Sequence, residues 1–221
     1  MSLLDPMQST TETSMKLEIL DLQERDYEWV YNLQKRLVEE RKQSDSQSDC
    51  LIFVEHPEVY THGRKGEADQ ALENSFEVER GGEATYHNPG QLVCYPIFTL
   101  KNEERDLNLY LRRLEQTIID TLKEFGIASE TRKGATGVWL KGKEKKIASI
   151  GVAASSWVTY HGLALNVSND LKGFEKINPC GFEASVMTSM QEVLGEKTPS
   201  MNQVKTELLR AACKNFGRRW V

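Results

Sequence analysis

The chain has 221 residues, enough for one large domain or two small ones around a real buried core. Lys+Arg 28 against Asp+Glu 33 gives a formal net charge of −5, a balance that argues against a general nucleic-acid surface. The cysteines Cys50, Cys94, Cys180 and Cys213 are scattered without CxxC or zinc-type Cys/His spacing, so neither a disulfide framework nor a metal site is indicated, and a reducing compartment is expected.

Residues 1–15 are Ser/Thr-rich and lack both a basic and an apolar signal region, and no run of about 18 apolar residues occurs. They are expected to be a disordered leader to a single cytoplasmic domain over 16–221, with Met15 as an alternative start of the folded part. Lys16 to Leu22 alternates apolar and polar residues as a half-buried strand does. Tyr27 to Lys42 carries Tyr27, Val30, Tyr31, Leu33, Leu37 and Val38 at helical spacing. A polar loop over Gln43 to Asp49 follows, then a buried strand at Cys50 to Val54, stopped by His56-Pro57.

The spacing next predicts a strand over Leu92 to Leu100 and a helix over Asn108 to Phe125, ended by Gly126. Val138 to Leu140 and Lys146 to Val152 read as a hairpin around the basic turn Lys141-Gly142-Lys143-Glu144. Gly162 to Val167 is a further strand, and Asn202 to Phe216 a helix stopped at Gly217. Without a strict βαβ rhythm, these elements point to an α/β (α+β) domain, a mixed sheet flanked by helices.

Three blocks carry candidate chemistry. Arg80-Gly81-Gly82-Glu83-Ala84-Thr85-Tyr86-His87-Asn88-Pro89-Gly90-Gln91 is denser in Gly, Thr, His and Pro than an ordinary connection and reads as a binding loop, its paired glycines allowing close backbone approach to a ligand. Taken alone it is balanced by a plain Gly/Pro loop, because no nucleotide-type glycine spacing is present. In Lys145-Lys146-Ile147-Ala148-Ser149-Ile150-Gly151, strand alternation places Lys146 with Ala148 and Ile150, so that Lys146 points inward while its lysine neighbours are solvated charges. His161, in His161-Gly162-Leu163-Ala164-Leu165-Asn166, is as readily a structural hydrogen-bonder as a functional group. Cys180, between Pro179 and Gly181, reads as presented at a turn rather than packed along a strand, although an isolated cysteine is more often a buried hydrophobe.

Together the blocks resemble the lipoate-biosynthesis octanoyltransferases. The likeness runs through Arg80 to Gln91, Lys146-Ile-x-Ser149-x-Gly151, His161-Gly-x-Ala-x-Asn166, Asp170-Leu171 and Pro179-Cys180-Gly181, with Val54-Glu55-His56-Pro57, Gly63-Arg64 and Thr136-Gly137-Val138-Trp139 beside them, over roughly 17–195. The resemblance implies the biotin/lipoate protein ligase-like fold. It also implies transfer of a medium-chain acyl group from octanoyl-acyl carrier protein to a lysine of a lipoyl domain of 2-oxoacid dehydrogenases or of glycine-cleavage H protein. By it, Cys180 is the acyl-accepting nucleophile and Lys146 its partner. Arg80, Gly81, Gly82, Glu83, Ala84, Thr85, Tyr86 and His87, with Ser149, Ile150, Gly151, Gly162, Leu163 and Ala164, line the acyl and pantetheine pocket. No cofactor and no metal are expected, since thioester exchange and amide formation from a thioester need no ATP. An oxyanion hole is expected from backbone N–H groups at Cys180-Gly181, with Ser149 or His161 near it. An ATP-dependent ligase of the same fold, a lipoyl amidotransferase and a non-enzymatic carrier-binding module are the competing readings. A covalent acyl adduct separates the last from the enzymes.

Overall fold

The computed structural model describes residues 15–44, 48–65, 74–177 and 183–220. The strands β1 (Met15–Glu24), β2 (Asp49–Glu55), β6 (Gln91–Ile97), β7 (Ser129–Arg132), β8 (Ala135–Leu140), β9 (Lys146–Ser155), β10 (Val158–Asn166) and β11 (Arg218–Trp220) form one sheet in the order β11-β1-β2-β6-β10-β9-β8-β7. β1 pairs in parallel with both β2 and β11, and the remaining ladders are antiparallel, so the sheet is mixed, as expected. A smaller sheet is made by β3 (Val59–His62), β4 (Ser75–Glu77) and β5 (Ala84–His87), in the order β4-β3-β5.

Strand alternation divides the apolar residues between two faces. Leu51 and Phe53 of β2 pack with Tyr110, Leu114 and Ile118 of helix α2 (Leu107–Glu124) and with Val204 and Leu208 of helix α4 (Met201–Phe216). Cys50, Ile52 and Val54 face the other way, onto Val30, Leu33 and Val38 of helix α1 (Tyr27–Gln43). A strand covered on both faces has no polar side to show, which is why β2 reads as a continuous apolar run. A short helix α3 (Met190–Leu194) precedes α4.

The helices begin at side-chain caps. Asp26 accepts from Trp29 N, Asp106 from Asn108 N and Leu109 N, and Ser200 forms a capping box with Gln203. α4 ends at Gly217 in the left-handed conformation, φ 60°.

Several sequence expectations are revised. Met15, expected in the leader, is the first residue of β1 and pairs with Arg218; residues 1–14 lie outside the described residues. Asp49, expected in the polar loop, opens β2, while residues 45–47 of that loop lie outside the described residues. β6 ends at Ile97 rather than Leu100 because side chains interrupt the ladder: Phe98 N–H donates to Thr159 Oγ1 at 3.0 Å and Thr99 N–H to Asp49 Oδ1 at 2.8 Å, leaving beyond it only an isolated bridge between Thr99 and Val158. The Arg80 to Gln91 block, expected as a loop, contains β5. The short strands β3, β4, β7 and β11 are not predicted by the pattern, since each has too few residues to show a period.

Candidate active site

The small sheet closes over the middle of the large one and leaves a small inner cavity of about 30 Å³. Arg80, Thr85 and His87 face it from the small sheet, Ser149 to Gly151 from β9 and His161 to Ala164 from β10. Tyr27, Val93 and Tyr95 complete the wall. An outer cleft of about 360 Å³ shares Ile150 and Gly151 with the cavity and is bounded by Gly81 to Glu83, by Leu107 and Leu111 of α2, and by Thr136.

Close backbone contact separates the two spaces. Gly81 N–H donates to Val152 O at 3.0 Å. A Cβ on Gly151 would lie 2.9 Å from Gly81 O and 3.0 Å from Arg80 Cδ, so a side chain there would force the loop off the strand. Arg80 is itself fixed, donating to Thr61 O at 2.6 Å, to Thr61 Oγ1 at 2.9 Å and to Gly81 O at 3.2 Å. Glu79, one residue before, accepts from Tyr31 Oη at 2.6 Å and Lys35 Nζ at 2.9 Å, which ties α1 to the same loop. Burial opposes ionisation of Glu79, but these two donors outweigh it and hold the carboxyl at about 2.

The imidazoles at the site are neutral at pH 7. Burial lowers His56 to about 4 and both His87 and His161 to about 3. His56 is held between Arg25 O and Tyr95 Oη. His161 sits at φ 56° inside β10, a left-handed conformation uncommon for a residue with a side chain. Its N–H donates to the buried Gln34 Oε1 at 2.8 Å.

Lys146, the first residue of β9, is 1% exposed. Its side chain lies over Gly137 of β8, where an added Cβ would come within 2.7 Å of Lys146 Cε, and its Nζ is 5.8 Å from the centre of the Trp139 ring. Gly137 adopts φ 123°, so both the backbone and the space require glycine there. On its other side Lys146 O accepts from Thr188 N–H at 3.0 Å.

Polar side chains, His87 of the cavity wall among them, bind the blocks to one another. His87 Nδ1 is 2.6 Å from Gln91 Oε1, Gln91 Nε2 donates to Asn166 Oδ1 at 2.9 Å, and Asn166 Nδ2 donates to Thr188 O at 2.9 Å. Asn88 Nδ2 donates to Asp170 O at 2.9 Å. The chain of bonds runs from β5 to the residue that pairs with Lys146.

Of the expected pocket residues, Arg80, Thr85, His87, Ser149, Ile150, Gly151, Gly162, Leu163 and Ala164 line the inner cavity, and Gly81, Gly82 and Glu83 the outer cleft. Ala84 opens β5 opposite His62. Tyr86 is placed elsewhere, since alternation along β5 turns it away from Thr85 and His87. Its ring packs on Tyr60 and Phe174, with centroids 4.8 and 5.5 Å away. Ile177 and Ala184 join the same cluster. Cys180, with the Pro179-Gly181 turn, lies outside the described residues. Cys50, Cys94 and Cys213 are buried, and burial pushes each thiol up, Cys50 to about 12. Tyr27, Val93 and Tyr95 read in sequence only as core positions; sequence gives no sign of which core residues border a cavity.

Residues 26–213 match the family model described as the lipoyl protein ligase A/B catalytic domain. An octanoyltransferase of Syntrophotalea carbinolica is 45% identical over 196 residues, covering 87% of this chain and 91% of the relative. The chain belongs to the octanoyltransferase family. These are acyltransferases. A second family member, the octanoyltransferase of Nostoc punctiforme, is 47% identical over 170 residues, with 74% of this chain and 73% of that one covered. Among solved structures, a bipartite lipoate protein ligase of Thermoplasma acidophilum superposes with a TM-score of 0.71 at 17% identity, covering 94% of this chain and 86% of its own. A point mutant of the biotin protein ligase of Aquifex aeolicus, in complex with biotin, gives 0.53 at 19% identity, with 90% and 70% covered. At such identities the octanoyltransferase and the ligases share the fold. No described helix is long and apolar enough to cross a membrane.

Proposed function

We propose that this octanoyltransferase moves an octanoyl group from acyl carrier protein to a lysine of a lipoyl domain or glycine-cleavage H protein, through a thioester on Cys180. The observation that carries the reading is the buried Lys146, on the strand whose Ser149, Ile150 and Gly151 line the cavity, and paired through Thr188 with the residues that follow Cys180. The inward direction of Lys146 read from strand alternation agrees with its burial.

In the first step the Cys180 thiolate attacks the donor thioester carbonyl, a C–S bond to the enzyme forms, and the carrier's sulfur leaves, taking a proton from Lys146. In the second, the acceptor amine attacks the acyl-enzyme, a C–N bond forms, the bond to Cys180 breaks, and the amine proton returns to Lys146. A free cysteine is only a few per cent ionised at pH 7, so a neighbouring ammonium that favours the thiolate raises the reactive fraction. Neutral imidazoles and an apolar wall suit a hydrocarbon chain in the cavity.

The test is mass spectrometry after incubation with octanoyl-acyl carrier protein. One octanoyl group on Cys180 is expected, lost in Cys180→Ala and kept in Cys50→Ala. An adduct on another cysteine would overturn the assignment. An adduct formed only with ATP and free octanoate would favour the ligase reading.

The carrier docks on the hairpin rim in this reading, where Arg132, Lys133, Lys141, Lys143 and Lys145 are the cations near in sequence, and two of the five are engaged within the protein. Arg132 pairs with Glu144 at 2.6 Å and lies over Trp139, and Lys145 Nζ donates to Ser185 O at 2.7 Å. Lys133, Lys141 and Lys143 are exposed. Charge reversal at Lys141 and Lys143 is expected to lower kcat/KM for the protein donor and to flatten its salt dependence, since exposed charges are screened over about 8 Å at physiological ionic strength. Transfer from a small octanoyl thioester should be nearly unchanged, and equal losses with both donors would mean that the turn supports the site instead.

A further inference from the structure

Resting on the reading of Lys146 as the proton-transferring group, we propose that Glu115 is a positioning residue for it, a buried carboxylate that seats Gly137 against the lysine and sets the lysine's proton affinity. Glu115 projects from the middle of α2 with a side chain 1% exposed, a depth at which a carboxylate is rare unless it is satisfied. Its partners account for it. Oε1 accepts the N–H of Gly137 at 3.2 Å and Oε2 the Nη1 of Arg112 at 2.5 Å.

The placement is informative because Gly137 stands between the two charges. Its N–H faces Glu115, and the position its Cβ would take is 2.7 Å from Lys146 Cε and 3.4 Å from Lys146 Nζ. A helical carboxylate and a strand lysine, each 1% exposed, are thus packed on one glycine, with protein rather than water around both. The glycine's left-handed conformation, φ 123°, is the one in which its N–H is held by Glu115 while Lys146 fills the space beside it.

The other groups packed about Lys146 among the described residues carry less leverage. β8 offers the Trp139 ring, whose neighbouring cation Arg132 is paired with Glu144. Lys145, adjacent on the chain, is bonded to Ser185 O. The segment after Cys180 offers Met187 and Thr188, the latter donating its hydroxyl to Glu192 Oε2 at 2.7 Å. Arg112 acts oppositely to Glu115, but its side chain is 59% exposed and its charge is correspondingly screened.

Removing the negative charge while keeping an oxygen for Gly137 N–H isolates the electrostatic part. In Glu115→Gln, the acid limb of the pH profile for single-turnover transfer from a small octanoyl thioester should move down by about one pH unit, because loss of a nearby anion lowers the proton affinity of the lysine and thiol alike. Arg112→Gln, a surface change that leaves the carboxylate uncompensated, should move the same limb up by a smaller amount. Opposite displacements are the signature; a merely structural role would lower the melting temperatures and leave both limbs in place. An unmoved limb in Arg112→Gln together with an unmoved or upward-moved limb in Glu115→Gln overturns the inference. If Glu115→Gln does not fold, the direction in Arg112→Gln decides alone. A wild-type enzyme that transfers no octanoyl group, or a Lys146→Met variant that keeps full activity, would instead defeat the functional reading on which the inference rests.

Discussion

Lys146→Met is expected to lower octanoyl transfer by about 10²–10⁴-fold, the range over which a positioned acid–base group contributes. Methionine is apolar and of similar length, so it fills the space over Gly137 and beside Trp139 without burying a new polar group. The loss then reports chemistry rather than collapse of the fold. Alkylation of Cys180 at pH 7 should slow in the same variant, because the thiol is no longer drawn to its ionised form. Lys146→Arg should not rescue transfer. A guanidinium cannot give up its proton. Unchanged alkylation and transfer in Lys146→Met would remove the lysine from the mechanism.

Arg218→Met is expected to destabilise the fold by about 3–5 kcal/mol, the cost of breaking a buried ion pair on one side, and so to lower Tm by about 10 °C at this chain length. Arg218 is 7% exposed and its Nε donates to Asp49 Oδ2 at 2.8 Å, while Nη2 donates to Glu104 Oε2 at 3.0 Å. It joins β11, β2 and the 3₁₀ turn before α2. Burial raises the Asp49 carboxyl above its usual value and Arg218 opposes that rise, so in the variant Asp49 should rise further. An acid whose folded value is raised binds its proton more tightly when folded, and stability falls as pH rises through the interval between the unfolded and folded values. Glu104 behaves oppositely: burial works against its ionisation, but Arg218 and its other donors hold it below the usual value, and its contribution is present above the unfolded value and lost as pH falls. Both effects make the penalty of Arg218→Met larger at pH 7 than at pH 4. Thermal melts of the two proteins at both pH values measure it, and a pH-independent difference would mean that the guanidinium acts by packing alone.

Local pattern determined much of this protein. The period of α1, α2 and α4, the apolar run of β2 and the hairpin β8–β9 are each set by residues close in sequence, where burial of one stripe or one face has a single local solution. The blocks Arg80 to Gln91, Lys146 to Gly151 and His161 to Asn166 were likewise legible, because close backbone approach demands glycines and an inward lysine follows from strand alternation. Tertiary packing alone decided what joins them. The short strands β3, β4 and β5 pair only with one another, across segments too short to show a period, and Tyr86 falls outside the cavity because β5 alternates about a register that its own four residues cannot specify. Glu115 reads in sequence as one more polar residue of an amphipathic helix. Only the contact of α2 with Gly137 buries it, and that contact depends on how the helix packs across the sheet strand that carries Gly137. The cavity has the same origin. Tyr27, Val93 and Tyr95 are apolar-face residues like their neighbours, and their bordering a space rather than a side chain is set by the summed packing of several elements, which no local pattern encodes.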